Sequence, residues 1–443
     1  MVPDTTPAAP IAPVDDDSQI QVQLISRRPE YAVSAANLLV PLSFKRMSLS
    51  SLINHLLERE TNPVPFDFVS SESGTLIRTS LKHYLASQNL NAETVLKLEY
   101  FPSVLPPTRS EGPQQPDWIT AVRAHPHVPL VLTGCANGEL AVCRGRSGTV
   151  RTAQAEVHAS YALSAVAWLD GLTDAHDDRE TLDFYSADNG GQCYATATLA
   201  HGVTCLAASR ALQLLAVSDT RGQIEIFDVS AHDAGCAPVD ADADRAAKRS
   251  KKSRTAAAAQ QQQRRTKLSK MTLAGHSDRV TALAFATLPN GETLLYSAGW
   301  DSTIRVWDVA TEAVRCTIPM PASVVSMAIN PYDGRVATGH TDRQVRVWGR
   351  LNDVSAETIV LSGHMSFVSD LAWSPSRGDV HHLASCCYDG VSKLWDTRLK
   401  EPLFSLKVPK MEKLLALDWK QGHIYSAGDI GCLHLYPHDV TLA

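Results

Sequence analysis

Two patterns of apolar and polar positions divide the chain. Residues 19–28, QIQVQLISRR, alternate as one face of an amphipathic strand, and a second apolar run follows at Leu38–Phe44. Leu49, Leu52, Ile53, Leu56 and Leu57 then recur at helical spacing, with Ser48 placed as N-cap. Beyond the breaker Asn62-Pro63 come PFDFVS (65–70), a short strand at Leu76–Arg78, the segment LKHYLASQ capped by Ser80, and a strand TVLKLEY at 94–100. Past a polar linker at Thr108–Gln115 a second pattern sets in and recurs to the end of the chain.

The clearest copy of the second pattern is Leu294–Asp308, LLYSAGWDSTIRVWD. Two apolar runs, Leu294–Ala298 and Ile304–Trp307, flank a polar turn with Gly299, Asp301 and Ser302, and Trp307-Asp308 closes the unit. Gly275-His276 lies upstream, before the alternating run Val280–Phe285. A Gly-His followed about 30 residues later by Trp-Asp marks one four-stranded propeller blade. Related units begin at Trp118, Leu163, Val203, Val324, Gly363-His364 and Leu414, which makes seven in all. The sequence therefore predicts an all-β seven-bladed WD40 propeller over residues 117–443, its edges hidden by ring closure. Pro437–Ala443 is too short for an outer strand, so Phe101–Leu105, at the head of the 102–116 linker, is expected to close the ring. The strand and helix order over residues 18–101 fits an α+β domain of the ubiquitin-like, or β-grasp, type. It has no di-glycine tail and runs on into more protein, which excludes conjugation and leaves docking.

Two units carry a full polar set, His276, Ser297, Asp301 and Trp307 in the fourth and His364, Ser385, Asp389 and Trp395 in the sixth. Asp accepting from His, His from the hydroxyl and the hydroxyl from the indole N–H would pair groups otherwise buried alone. Similar residue types make hydrolase triads. The Trp that completes the chain, and the repeated spacing, assign these sets to structure. No Gly-rich phosphate loop, Cys–His pair or isolated carboxylate pair points to an enzyme.

The nine cysteines form no CxxC pair and have no His at zinc spacing, so a reduced protein without metal site or cofactor is expected. No apolar run approaches the ~18 residues that span a bilayer. The Pro/Ala/Asp-rich residues 1–17 lack the regions of a secretory signal and read as a disordered lead-in. Charge is uneven: the net value is −6, yet residues 245–270 hold ten Lys or Arg and no acid, leaving −16 elsewhere. The low-complexity stretch 230–270 is expected as a disordered insertion between the third and fourth blades. Within it Lys248, Arg249, Lys251, Lys252 and Arg254, with Arg264 and Arg265 beyond, resemble a nuclear-localisation signal and could also meet RNA phosphates. No aromatics are interleaved, which argues against sequence-specific reading of nucleic acid.

The segments LSFKRMSLSSLINHLL (42–57), PVPFDF (63–68), LIRTSLKHYL (76–85) and ETVLKLEYFPSVLPP (93–107) precede seven repeats and a basic insertion after the third. Over nearly its whole length the chain thus resembles the Ytm, or WD-repeat protein twelve, family of ribosome-biogenesis factors. The resemblance implies a non-enzymatic scaffold of nucleolus and nucleoplasm, acting in pre-rRNA processing and maturation of the large (60S) ribosomal subunit. It implies that the propeller binds the block-of-proliferation protein, which in turn holds pescadillo. It further implies that the ubiquitin-like domain (the NLE domain) docks on the metal-ion-dependent adhesion site of midasin, an AAA ATPase whose force strips the subcomplex from the pre-60S particle. The family's docking glutamate precedes the last strand of that domain and falls here on Glu93, which would complete the coordination of a Mg²⁺ held by midasin. Glu72, in the SSESG loop, is its nearest rival. A Notchless-like factor would carry an eighth blade. A substrate receptor of a cullin ubiquitin ligase is the other alternative, on the strength of Trp395-Asp396-Thr397-Arg398, a pattern that also arises at the end of any WD repeat.

Overall fold

The computed structural model describes residues 19–437 apart from 27, 34–36, 60–62, 89, 91–94, 104–105, 145–154, 157–162, 170–171, 178–180, 187–191, 230–235, 238–264, 289–290, 350–357, 378–379, 400 and 409–411. The chain divides into two compact units, one built on Met1–Leu105 and the other on Pro106–Thr397 with Glu401–Asp439.

The first unit contains β1 (Gln19–Ser26), β2 (Leu38–Pro41), α1 (Arg46–Leu56), β3 (Phe66–Ser70), α2 (Leu81–Gln88) and β4 (Leu96–Pro102). Its sheet runs β2-β1-β4-β3, with β1 and β4 parallel at the centre and both outer pairs antiparallel, which is the β-grasp. The period of two in β1 buries Ile20, Val22 and Leu24 and exposes Gln19 and Gln21. Leu49 and Ile53 of α1 join them in one core with Phe66, Phe68 and Tyr100. Buried Asn54 fixes the chain after α1, donating to Val64 O at 2.7 Å and accepting from Val64 N at 2.8 Å. Ser80 Oγ accepts the His83 N–H at the start of α2.

Two expectations for this unit are corrected. Helix α1 starts at Arg46, with Lys45 at its cap position and no side-chain cap bond, so Ser48 lies inside the first turn. An ion pair from Arg46 to Asp67 of β3, at 3.2 Å, fastens that earlier turn to the sheet. Leu76–Arg78 is no strand but a single bridge, Leu76 to Val69. Ser73 and Thr75 there hydrogen-bond Tyr84 of α2, which leads the chain away from the sheet edge.

The second unit is seven sheets of four strands, one of them extended to six. Their innermost strands, from Ile119–Ala124 round to Leu414–Lys420, pack on one another in a closed ring. A belt of hydroxyls ties neighbouring blades at the second position of these strands. Thr120 donates to Leu163 O, Ser164 to Val203 O, Thr204 to Val280 O, Thr281 to Val324 O and Ser369 to Leu414 O. Val325 and Leu415 stand at that position in the remaining two blades. The belt lines a central channel of about 170 Å³, where Arg123 of the first blade meets Asp370 of the sixth at 3.4 Å.

Ring closure differs from expectation in its residues. Phe101 and Pro102 are taken by β4, opposite Asp67 and Phe66, so they cannot serve the propeller. The closing strand is Ser110–Gln114, antiparallel to Cys432–Pro437, with Leu435 opposite Ser110 and Cys432 opposite Gln114. Gly112 makes the fit possible, because a Cβ there would sit 2.9 Å from Leu435 Cδ1 and 3.0 Å from Leu433 O.

The insertion is also placed differently. Met271–Ala274 is the outer strand of the third blade, paired with Gln223–Asp228, so the insertion lies inside that blade rather than between two blades. Its two ends are not loop: Cys236–Ala237 pairs with Arg265–Lys267, and Arg265–Lys267 runs parallel to Gln192–Thr198 of the second blade. Lys267 is buried, its ammonium 3.2 Å from Asp228 O and 4.5 Å over the Phe184 ring, which explains the order at this end. The second blade holds one strand that its apolar pattern does not mark, the mostly polar Leu172–Asp177.

Candidate functional site

Three features are candidates for contact with other molecules. The first is one edge of the β-grasp sheet. Antiparallel pairing sets Ser70 opposite Leu98, and Ser71 N donates to Lys97 O at 3.0 Å, so the turn after β3 and the start of β4 share that edge. Glu72 is exposed in the turn, which Gly74 completes with a φ of +65° and Ser73 pins to Tyr84 Oη at 2.8 Å. Glu93 lies outside the described residues, in the segment 91–94 that leads into β4. Of the two candidate carboxylates, the structure therefore describes only Glu72.

The second feature is the basic insertion. Lys248, Arg249, Lys251, Lys252, Arg254 and Arg264 lie outside the described residues, and Arg265 opens the strand Arg265–Lys267. The insertion therefore departs from and returns to a β-ribbon at the outer edge of the second blade.

The third is the propeller and its polar sets. In the fourth blade Trp307 Nε1 donates to Ser297 Oγ at 2.7 Å, His276 Nε2 lies 2.7 Å from the same oxygen, and His276 Nδ1 lies 2.8 Å from Asp301 Oδ2. With the hydroxyl accepting from the indole, its own hydrogen goes to Nε2, and Nδ1–H donates to the carboxylate. Burial pushes the His276 pKa down. For Asp301 burial works the other way, but bonds from His276, Thr303 and Ser277 outweigh it and hold the carboxylate below its usual range. Ser297 is fully buried, so this set has no surface at which a substrate could meet the hydroxyl.

The sixth blade repeats half of this arrangement. Trp395 Nε1 donates to Ser385 Oγ at 2.8 Å and His364 Nε2 lies 2.7 Å from it, yet His364 Nδ1 stands 3.8 Å from Asp389. The fifth blade holds a third set whose histidine, though it follows Gly339, ends the second strand instead of preceding the first. Trp348 donates to Thr338 Oγ1 at 2.9 Å, and His340 Nε2 lies 2.8 Å from it. His340 comes from the second strand itself, and burial pushes its pKa down to about 4. The ten-residue interval from Thr338 to Trp348 equals that from Ser297 to Trp307, which is the signal that could have found it. A buried pair in the last blade, His434 Nε2 to Glu412 Oε2 at 2.8 Å, carries no repeat signature.

One face of the propeller is rich in exposed aromatics. The N–H that follows each second strand bonds the carbonyl just before the first strand: Ala136 to Trp118, Trp300 to Arg279, Tyr388 to Phe367. These bonds gather Trp118, Trp300, Met365, Phe367 and Tyr388, all more than a third exposed, on the same face of the ring. The Arg279 guanidinium lies 3.8 Å over the Trp300 ring. By contrast the Trp395-Asp396-Thr397 part of the ligase-receptor pattern is turned inward, with Asp396 buried and Thr397 Oγ1 accepting from Arg335 at 3.1 Å. Among the described residues no helix is long and apolar enough to cross a membrane.

Comparison with known families matches residues 20–85 to the NLE (NUC135) domain and residues 268–308, 315–349 and 356–396 to the WD domain, G-beta repeat. The chain is 30% identical to ribosome biogenesis protein YTM1 of Scheffersomyces stipitis, over 91% of its own length and 94% of that protein's. It is 29% identical to the ribosome biogenesis protein WDR12 homolog of Chlamydomonas reinhardtii, over 97% of its length and 100% of the other's. A WDR12 homolog of Dictyostelium discoideum is 26% identical over 90% of the chain.

Proposed function

This chain belongs to the WDR12/Ytm1 family of ribosome biogenesis proteins, and from that premise we propose that it is a non-enzymatic scaffold in assembly of the large ribosomal subunit. The observation that carries the reading is the pairing of one β-grasp domain with one closed seven-bladed ring, aligned almost end to end with proteins of that name. A ring whose His/Ser/Asp sets are sealed inside blades offers faces for contact and no reaction centre. In this reading the propeller holds the block-of-proliferation protein and, through it, pescadillo, and the assembly works on pre-60S particles in nucleolus and nucleoplasm.

The β-grasp domain is the docking end for midasin, with Glu93 supplying a carboxylate oxygen to the open position of a Mg²⁺ held by that partner. The exposed Glu72, in the turn after β3, is the alternative ligand. Glu93→Ala should abolish capture of midasin while leaving the propeller partners bound. Glu93→Asp keeps the charge, shortens the reach by one methylene and should weaken capture. Undiminished midasin capture by Glu93→Ala would remove this residue from the role, and loss with Glu72→Ala would transfer it.

A further inference from the structure

The fourth and sixth blades carry the same polar set in two states. In the fourth, the last residue of the second strand is Gly299, opposite Val280, and His276 Nδ1 donates to Asp301 at 2.8 Å. In the sixth the same position, opposite Val368, is Cys387. There the His364–Asp389 separation is 3.8 Å, and His364 Nδ1, on a residue 5% exposed, has no hydrogen-bond partner. The thiol thus occupies space that hydrogen leaves free in the fourth blade. Histidine Nδ1, the Cys387 sulfur and an Asp389 oxygen all lie within 4.8 Å of one another.

We propose that His364, Cys387 and Asp389 form a binding site for a divalent metal ion of borderline softness, Zn²⁺ above all. The donors are one imidazole nitrogen, one thiolate and one carboxylate oxygen, a set suited to zinc. Ligands about 2.0–2.3 Å from a tetrahedral zinc stand roughly 3.3–3.7 Å from each other. The 3.8 Å gap between His364 and Asp389 needs only a small side-chain rotation to meet that requirement. The 2.8 Å contact in the fourth blade is too short to admit an ion between the two groups.

The surroundings are arranged for such a load. Backbone N–H groups of Met365 and Val391 each bond one Asp389 oxygen at 3.0 Å and fix its plane. Zinc binds the thiolate rather than the thiol, so metal binding must displace the Cys387 proton. The imidazole changes tautomer: its hydrogen moves to Nε2 and donates to Ser385 Oγ, which still accepts from Trp395, and the serine hydroxyl hydrogen becomes the unpaired donor in place of the Nδ1 hydrogen. Binding one Zn²⁺ therefore releases one proton to solvent. Asp389 is the least buried of the three, and the fourth ligand would be water or a donor from another chain. Sequence reading finds no such site because His364 and Cys387 are 23 positions apart, one in the loop before the first strand of the blade and the other at the end of its second strand.

The test uses the full chain stripped with a chelator, Zn²⁺ in competition with a chromophoric chelator, and Co²⁺ as a spectroscopic probe. One equivalent should bind, with a thiolate-to-cobalt charge-transfer band and release of one proton. Cys387→Gly installs the residue of the fourth blade and lets His364 close on Asp389, so the fold should persist. Its affinity for the ion should fall by at least about a hundredfold and the band should vanish. Cys387→Ser, which keeps the volume, should lose the band as well and decides the matter if the glycine variant does not fold. Binding no tighter than micromolar in the parent chain, or a cobalt band that survives both substitutions, overturns the proposal.

Discussion

The polar set of the fourth blade makes a quantitative prediction. Ser297 is fully buried and its oxygen serves two neighbours, accepting from Trp307 Nε1 at 2.7 Å and donating to His276 Nε2 at 2.7 Å. Ser297→Ala leaves both without partner in a place that water does not reach. Each orphaned group costs about 1–3 kcal/mol, so the substitution should destabilise the propeller by roughly 2–6 kcal/mol. That is a large part of the ~5–15 kcal/mol that holds a typical domain folded. All eight tryptophans lie from Trp118 onward, so tryptophan fluorescence during urea unfolding reports the propeller alone. The midpoint should fall with the slope unchanged. Ser297→Thr is the control, because Thr338 already fills this role in the fifth blade, and it should cost less than about 1 kcal/mol. Combining Ser297→Ala with Trp307→Phe, which removes the orphaned donor, should show a coupling of about 1 kcal/mol or more. A cost for Ser297→Ala under about 0.5 kcal/mol, or strict additivity in the double variant, would refute the reasoning.

Two further outcomes are expected. His340 is buried with its pKa pushed down to about 4, so below the ordinary histidine value near 6.5 the unfolded chain binds a proton that the folded chain refuses. Its contribution is complete above that value and is lost as pH falls towards 4, by about 3 kcal/mol. For His434 burial is outweighed by Cys432 and Glu412 and the pKa rises to about 9, so its contribution is complete below 6.5 and is lost as pH rises to 9. Unfolding midpoints across this range should show both limbs, and His434→Gln should flatten only the alkaline one; an unchanged alkaline limb contradicts the assignment. Replacing Lys248, Arg249, Lys251, Lys252 and Arg254 by Ala should move a fluorescent fusion from nucleus to cytoplasm, and an unaltered distribution would leave the insertion without an import role.

Apolar periodicity was enough to place the seven blades and the β-grasp, because burial on one side of every strand writes a period of two into the chain. The ring-closing strand lies within the expected 102–116 linker but not at Phe101–Leu105, for a physical reason. Ser110–Gln114 is SEGPQ, without an apolar alternation, and it is held by backbone bonds and by the absence of a Cβ at Gly112. Phe101 looked better and was already used by the sheet of the first domain. The short ribbon at the base of the insertion was hidden by composition: Lys267 reads as a solvated charge, yet it is buried against Asp228 O and Phe184. Of the polar sets, the two whose Gly-His precedes the first strand of the blade are legible, and the one whose Gly-His ends the second strand is not.

These three sets separate what holds the blades from what distinguishes them. Their inner halves agree: an indole N–H donates to a hydroxyl at 2.7–2.9 Å, and a histidine Nε2 takes that hydroxyl at 2.7–2.8 Å. The variation sits at the last position of the second strand, which is Gly299, His340 or Cys387. Glycine lets the loop histidine reach its aspartate. Histidine brings the imidazole itself and turns Nδ1 to Ala322 O at 3.1 Å. Cysteine leaves the imidazole short of the carboxylate with a nitrogen free. A change in the inner half exposes unpaired groups to a dry core and costs stability. A change at the outer position instead alters what the buried imidazole can reach, its aspartate, a backbone carbonyl or neither. Repeat counting reads the first half well because stability demands the same chemistry in each copy. It is silent on the second, where one blade acquires a property its neighbours lack.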